Sequence, residues 1–396
     1  MADSGSNRFG CVVMTIQNSK SSPTSATPYK IPKALQGIRQ WCQQPIRSWS
    51  NGRSLWRFLP LFLVGVGLSM AIAACGSNAN SASKGGDVKL SLVSYSVTQA
   101  AYEKIVPKFV EKWQKEHNQN VTIEQSYGGS GSQARAVIDG SQEADIVHLS
   151  LALDTHKIEE AGLIEPGWER KSPRGGIVTR SVVAIVTRPG NPKGINTWED
   201  LTKDGLSIIT ANPKTSGIAI WNFLALWGSV TQKGGDEAQA REFATKVYKN
   251  VPVLTNNARQ ASDIFFKQSK GDVLLNYEDE VILAQQNGEK LPSVVPDVNI
   301  SIDNPVALVD KNVDKHGTRQ IAQAFVDFLY TNEAQQEFAK LGYRPVNPSV
   351  VAEVAQNYPQ LQTLFTVQDL GGWDDIQKKF FAEGAIFDQI QVAGKI

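Results

Sequence analysis

The chain has 396 residues, three cysteines and a formal net charge of +1, and this near-neutral total conceals two oppositely charged parts. The first 74 residues carry eight Lys and Arg against one acid, whereas the remainder carries 32 Lys and Arg against 38 acids. An acidic body argues against nucleic acid as a partner, because nucleic-acid binding needs clustered positive charge. It also means that any anion site must be built locally rather than by net attraction.

A secretory leader is indicated by the segment that ends at Cys75. Two arginines precede Phe58–Ala74, which is an apolar run of 17 residues. The small residues before Cys75 match the cleavage box of bacterial lipoproteins, which predicts that Cys75 is lipidated. The alternative is an uncleaved anchor, since 17 residues approach the lower limit for a spanning helix. We expect residues 1–75 to be an N-terminal extension and lipoprotein signal peptide, residues 76–86 a flexible tether, and the body to be periplasmic and attached to a membrane only through the lipid.

Beyond the tether, apolar patterning predicts strands that alternate with helices. Val88–Tyr95 is predicted to be a strand, and Thr98–His117 an amphipathic helix with apolar residues along one stripe. The continuous apolar run Ser181–Thr187 is typical of a strand covered on both faces, and Thr318–Leu341 has helical character. This alternation predicts an α/β fold with mostly parallel sheets. Further strands are predicted at 121–125, 145–151, 206–210, 251–254 and 272–277, and further helices at 132–140, 217–229 and 236–249.

Two turns in the body combine glycine and serine with the start of a helix, and these are Gly128–Gln133 and Asn212–Gly217. Each follows a predicted strand. The first amides of a helix lack intrahelical acceptors and carry a partial positive charge, so such a turn binds an anion without a charged side chain. In α/β sheets, ligands bind beyond the C-terminal ends of strands, where both turns are placed. Two such turns facing one cleft would enclose a small oxyanion.

Three sequence blocks carry a resemblance to a known family: Gln125–Gly131, Asn212–Gly217 with Trp221–Ala225, and Gly371–Trp373. They resemble periplasmic sulfate-binding proteins, the solute receptors of sulfate/thiosulfate ABC importers. The resemblance implies an α/β, two-lobed periplasmic-binding-protein clamshell of type II, with two hinge crossings, that closes on one sulfate. It implies a monomer without catalytic activity, cofactor or metal, whose partner is a membrane permease. The expected division is 86–179 for lobe 1, 180–278 for lobe 2, and 279–396 for the return to lobe 1 with the C-terminal helices.

The resemblance also implies the sulfate contacts, and the chain departs from the family at some of them. The family usually has Gly at position 218 and Arg at position 220, and this chain has Ile at both. A Trp indole donor of the family is replaced by Tyr277, whose hydroxyl donates from a different position. These departures concern affinity and the preference between sulfate and thiosulfate. The implied sulfate-binding residues are Ser130, Ser216, Gly217, Ile218, Ala258 and Tyr277.

Sulfate suits a site made only of hydrogen-bond donors, because it carries no proton at neutral pH. Monohydrogen phosphate carries one, and a buried proton that faces donors is costly. Glu278, next to Tyr277, would weaken this selectivity if its side chain pointed inward. Three alternatives remain open: a receptor for thiosulfate, molybdate or phosphate, an exported serine hydrolase that uses Ser216 or Ser130, and a dinucleotide fingerprint at Gly129–Ala134, which is a weak signal by itself.

Overall fold

The structure is a computed structural model, and it describes residues 86–394. These residues belong to one compact unit, Ala79–Ile396. The predicted leader, Cys75 and most of the tether lie outside the described residues. Among the described residues, no helix is both long enough and apolar enough to cross a membrane.

The strands fall in two main sheets and a small third one. The chain order is β1 (Val88–Tyr95), β2 (Val121–Gly128), β3 (Ile146–His148), β4 (Ile177–Ser181), β5 (Val183–Thr187), β6 (Ile208–Ala211), β7 (Leu254–Thr255), β8 (Val273–Tyr277), β9 (Ser293–Val294), β10 (Val298–Ile300), β11 (Ile302–Leu308), β12 (Arg344–Pro345) and β13 (Thr363–Phe365).

The first lobe is built on a six-stranded sheet with the order β12-β4-β11-β3-β1-β2. Its β1 pairs in parallel with β2 and β3, whereas β11 pairs antiparallel with β3 and β4. The second lobe is built on a five-stranded sheet with the order β7-β6-β8-β5-β9. This sheet is also mixed, since β6 pairs in parallel with β7 and β8, and β5 pairs antiparallel with β8 and β9. The expectation of mostly parallel sheets is therefore wrong, because β11 and β5 each run antiparallel to both of their neighbours. The third sheet pairs β10 with β13.

The helices cover the sheets and connect the strands. In chain order they are α1 (Gln99–His117), α2 (Ser130–Ile138), α3 (Ala152–Glu160), α4 (Gly217–Thr231), α5 (Glu237–Lys249), α6 (Ala258–Ser262), α7 (Glu278–Gln286), α8 (Asp310–His316), α9 (Arg319–Phe328), α10 (Asn332–Lys340), α11 (Pro348–Val354), α12 (Trp373–Ile376) and α13 (Ile386–Gly394).

Burial follows the apolar pattern of the sequence. The predicted stripe of α1 is buried, and Phe109 packs edge-on against Phe325 of α9 with ring centroids 5.0 Å apart. Helix α4 differs, because every residue from Gly217 to Ser229 is buried. A helix that is apolar on all sides is enclosed on all sides. The start of α4 therefore lies inside the molecule.

The chain leaves the six-stranded sheet at one strand-to-strand junction and returns to it at another, the second by way of the small third sheet. The run Ser181–Thr187, expected to be one strand, is divided at Val182, with β4 in the first lobe and β5 in the second. The return crossing joins β10 to β11 at Ser301. Strand β9 lies beyond residue 278, the expected end of lobe 2, and pairs with β5 in the second sheet.

A C-terminal strap, defined here as residues 363–394, then runs back to the second lobe. Strand β13 pairs with β10, and Trp373 of α12 contacts Trp221 of α4 with ring centroids 5.1 Å apart. Further along, Phe387 packs against Tyr248 of α5 at 5.2 Å, and Lys214 forms an ion pair with Asp388 at 2.8 Å. The strap thus covers α4 and α5 after the chain has returned to the first lobe.

Candidate functional site

The N-termini of α2, α4 and α6 meet where the two lobes are in contact. Gly129, the N-cap of α2, approaches the turn before α4 so closely that an added Cβ would lie 2.3 Å from the carbonyl oxygen of Thr215. The same Cβ would lie 2.7 Å from the carbonyl oxygen of Asn256, which precedes α6. The amide of Ser132 also donates to the Thr215 carbonyl at 3.2 Å. The two predicted anion turns are therefore packed against each other, with a third helix start beside them.

These helix starts leave backbone donors available. In the first turn of α4, the amides of Gly217 and Ile218 donate to no acceptor in the described part of the protein. The same holds within residues 86–394 for the amides of Ser130 and Gly131 in α2, and for Ala258 in α6. First-turn amides have no intrahelical partner, so their donors remain for a ligand. The three starts together present five such amides.

The two predicted serines differ in what their hydroxyls do. Ser130 donates through Oγ to Asp154 Oδ2 at 2.7 Å and accepts from the amide of Ser150 at 3.1 Å. Its hydroxyl hydrogen is therefore already used within the protein. Ser216 is buried and caps α4, but its hydroxyl makes no hydrogen bond within the described residues. Ser216 can therefore donate from its side chain, whereas Ser130 offers its backbone amide.

Sequence reasoning missed Asp154, which comes from the first turn of α3. Its carboxylate is buried, and Lys157 Nζ lies 3.1 Å from Asp154 Oδ1. The lysine and the positive end of α3 both stabilise a carboxylate at this position. No motif in the sequence identified Asp154, because its role depends on a contact with Ser130 that only the fold creates.

The side chain of Glu278 does not point toward the three helix starts. Its two carboxylate oxygens accept from Arg344 of β12 at 2.7 and 3.1 Å, in a bidentate pair. The neighbouring Asp279 is buried and accepts from the hydroxyl of Ser181 at 2.7 Å. Burial in the company of Glu280 and Glu278 raises the pKa of Asp279 to about 8, although the Ser181 hydrogen bond opposes this. At neutral pH Asp279 is therefore predominantly protonated.

Tyr277, the last residue of β8, reaches the first lobe through its hydroxyl. Its Oη lies 2.6 Å from Ser150 Oγ, in the loop between β3 and α3, and both residues are buried. Burial raises the pKa of Tyr277 well above its usual value, so the phenol keeps its hydrogen. The hydroxyl pair therefore joins the two lobes next to the start of α4. Ser150 was not a predicted site residue.

Two arginines beside the turns bind carbonyls of the opposite lobe. Arg135 of α2 donates to the carbonyl of Lys214 at 2.8 Å. Arg259 of α6 donates to the carbonyl of Val97 at 3.4 Å and pairs with Glu280 at 2.9 Å. Both guanidinium groups therefore hold the lobes together at the edge of the site. No group of three metal-ligating side chains occurs among the described residues.

A two-lobed α/β body with helix N-termini meeting between its lobes is characteristic of type II periplasmic binding proteins. The bacterial extracellular solute-binding protein family model matches residues 90–344, and the chain belongs to that family. The sulfate-binding protein of Synechococcus elongatus is 58% identical over 82% of this chain and 94% of its own length. The thiosulfate-binding protein of Pseudomonas aeruginosa is 38% identical over 75% of this chain and 90% of its own length.

Solved structures agree with the sequence relatives. The sulfate-binding protein SubI from Mycobacterium tuberculosis has a TM-score of 0.68 and 34% identity, and covers 74% of this chain and 99% of its own. The two-lobed type II α/β fold and the family resemblance expected from the sequence are thereby confirmed.

Proposed function

We propose that the protein is an extracytoplasmic receptor that binds sulfate between its two lobes and delivers it to the permease of an ABC importer. The observation that carries the proposal is the meeting of three helix N-termini with unused donors. Five amides and the Ser216 hydroxyl are available there, and they come from both lobes. Donors on both lobes give the closed form a higher affinity for the anion than the open form, which is what a ligand-driven closure requires.

The residues proposed to contact sulfate are those implied by the sequence. Gly217, Ile218 and Ala258 act through backbone amides, as does Ser130, whose hydroxyl is taken by Asp154. Ser216 acts through its hydroxyl. Replacement of the usual Gly by Ile218 does not remove the amide, so this departure leaves the donor in place. The last proposed residue is Tyr277, which donates through its hydroxyl.

The chemistry of this site favours a fully deprotonated anion. Glu278 is paired with Arg344, and Asp154 is paired with Lys157 and Ser130. These two carboxylates are thus occupied by protein donors and offer no acceptor to a ligand proton. Buried donors exclude monohydrogen phosphate because its proton would lack an acceptor. Thiosulfate is the second candidate, because it is equally deprotonated and a thiosulfate-binding protein is among the relatives.

The proposal is one of binding rather than catalysis. Within residues 86–394, neither Ser130 nor Ser216 hydrogen-bonds to a histidine, and the Ser130 hydroxyl faces a carboxylate directly. A serine nucleophile needs a base that accepts its proton and is held by a third group. We further propose a monomer that is exported and anchored through lipidated Cys75, with membrane contact through that lipid and through the permease alone.

Calorimetric titration with sulfate, thiosulfate, molybdate and phosphate tests the proposal. We expect one-to-one sulfate binding without a phosphate response. Binding of another anion with silence for sulfate would show that Ile218, Ile220 and Tyr277 redirect the site. Silence with all four anions would contradict the proposed function. A serine-reactive probe that labels Ser216 or Ser130 would instead support the hydrolase.

A further inference from the structure

Ser150 lies in the contact between the lobes, and each of its polar atoms forms a hydrogen bond. Its hydroxyl meets Tyr277 at 2.6 Å, and its amide donates to Ser130 Oγ at 3.1 Å. Its carbonyl accepts from the indole of Trp221 at 3.0 Å and from the amide side chain of Asn304 at 2.9 Å. Tyr277 and Trp221 belong to the second lobe, whereas Ser130 and Asn304 belong to the first. Ser150 therefore makes two hydrogen bonds within its lobe and two across the cleft.

Ser150 also packs against the start of α4. A Cβ added to Gly217 would lie 2.3 Å from Ser150 Oγ and 2.4 Å from Ser150 Cβ. The first residue of the proposed anion-binding helix can approach this closely only because it is glycine. Ser150 thus contacts the α4 turn and the Tyr277 hydroxyl through its side chain, and the Ser130 hydroxyl through its backbone amide.

We infer that Ser150 is a positioning residue that orients the Tyr277 hydroxyl and thereby stabilises the closed form. The inference rests on the proposed function, in which Tyr277 and the α4 turn bind the anion. A lone Tyr hydroxyl can rotate about its C–O bond, and a partner 2.6 Å away restricts that rotation. Because the partner belongs to the other lobe, the bond forms only when the lobes meet. It therefore stabilises the ligand-bound state without stabilising an open one.

This arrangement predicts a kinetic signature. A bond that exists only after closure contributes little to the encounter of anion and protein, so its loss changes dissociation rather than association. It also contributes nothing to an open, unliganded protein. The loss of a bond that serves only the internal structure of one lobe would instead lower the thermal stability of the unliganded protein.

The test uses the protein exported with its own leader and then purified. Ser150→Ala is compared with Ser229→Ala, which also removes a buried hydroxyl, but one that donates within α4 to the carbonyl of Leu226 at 2.8 Å. We expect Ser150→Ala to raise the sulfate dissociation rate about tenfold, with the association rate within about twofold of wild type. Ser229→Ala should leave both rates unchanged.

A double-mutant cycle with Tyr277→Phe separates a role through Tyr277 from an independent one. In the Tyr277→Phe background, Ser150→Ala should change sulfate affinity by less than about twofold, because the shared bond is already absent. Equal losses in both backgrounds would overturn the inference, as would wild-type affinity in Ser150→Ala. If the wild type binds a different one of the four anions, the cycle is run with that anion. A wild type that binds none would overturn the proposed function and the inference together.

Discussion

The turn that opens α2 and the turn that opens α4 have similar sequences but present different atoms. Both place a serine and a glycine at a helix start between the lobes, and both leave first-turn amides unused. In the α2 turn, the Ser130 hydroxyl is committed to Asp154. In the α4 turn, the Ser216 hydroxyl has no partner among the described residues. A motif therefore indicates where a ligand binds. The surrounding side chains determine which atoms of the motif remain free to bind that ligand.

The largest expected effect tests whether the two turns must touch. In Gly129→Ala, the new Cβ would lie 2.3 Å from the backbone oxygen of Thr215 in the other lobe. Overpacking of this kind costs about 1–3 kcal/mol, which corresponds to a loss of sulfate affinity of about 5- to 150-fold. Gly131→Ala is the matched control, because its nearest neighbours would be 3.6 Å away. Equal calorimetric affinities for the two variants would show that the turns separate when the anion binds.

The next effect distinguishes the two serines. Ser216→Ala removes an available donor and should weaken sulfate binding by about 10- to 100-fold, or about 1.5–3 kcal/mol, without changing the melting temperature of the unliganded protein. Ser130→Ala leaves Asp154 without its hydroxyl donor and the Ser150 amide without its acceptor. It should therefore lower that melting temperature. Calorimetry measures the sulfate affinity of both variants, and thermal melting measures their stability. Equal affinities and equal melting temperatures for the two variants would contradict the proposed difference between the serines.

A smaller effect concerns the negative charge of Asp154, whose carboxylate accepts a hydrogen bond from Ser130 of the α2 turn. Asp154→Asn keeps an oxygen acceptor for Ser130 but removes a negative charge near the proposed anion, and it frees Lys157 from its partner. Both changes favour a bound dianion. Sulfate affinity should rise about three- to tenfold at low ionic strength, and the gain should shrink with added salt. Weaker binding by Asp154→Asn would mean that the carboxylate is needed to hold Ser130 in place.

The last effect concerns the stability of the protein rather than its affinity for the anion. Within residues 86–394, Asp279 of α7 forms no ion pair comparable to that between Asp154 and Lys157. Its pKa is raised from 3.8 to about 8 in the folded protein, so between these pH values the native state holds a proton that the unfolded state has lost. The free energy of unfolding should therefore fall as pH rises from about 4 to about 8. Asp279→Asn retains an acceptor for Ser181 and should flatten this dependence. Urea unfolding at several pH values measures this free energy. If it depended on pH equally in wild type and Asp279→Asn, the prediction would be contradicted.

Much of the fold was accessible from the sequence because local pattern and family resemblance agree. The strand Val88–Tyr95 and the helix starting at Gly217 have the predicted positions. The division at Val182 was not predicted, because an apolar run fits a buried strand in either sheet. Thr318–Leu341 is helical but contains two helices, α9 and α10, separated by a short turn.

The site was less accessible than the fold. The pattern located both turns, since glycine, serine and a helix start are close in sequence. Ser150 and Asp154 carry no motif, and their roles depend on partners 20 to 127 residues away in the chain. Hydrogen-bond direction could not be predicted either, because the sequence of the α2 turn does not indicate that the Ser130 hydroxyl donates to another side chain. The roles of Ser150 and Asp154 and the direction of this hydrogen bond all depend on contacts between residues that are distant in sequence.

The C-terminal strap has a mechanical consequence for a receptor that opens and closes. It reaches the second lobe after the chain has left the first, so the lobes are joined by a third length of polypeptide besides the β4–β5 and β10–β11 junctions. Gly371 and Gly372 have φ values of 96° and 89°, which favour glycine, and they lie just before Trp373 meets Trp221. Three connections restrict the lobes more than two do. An opening motion of the lobes would therefore have to displace the strap from α4 or bend it at the glycine pair.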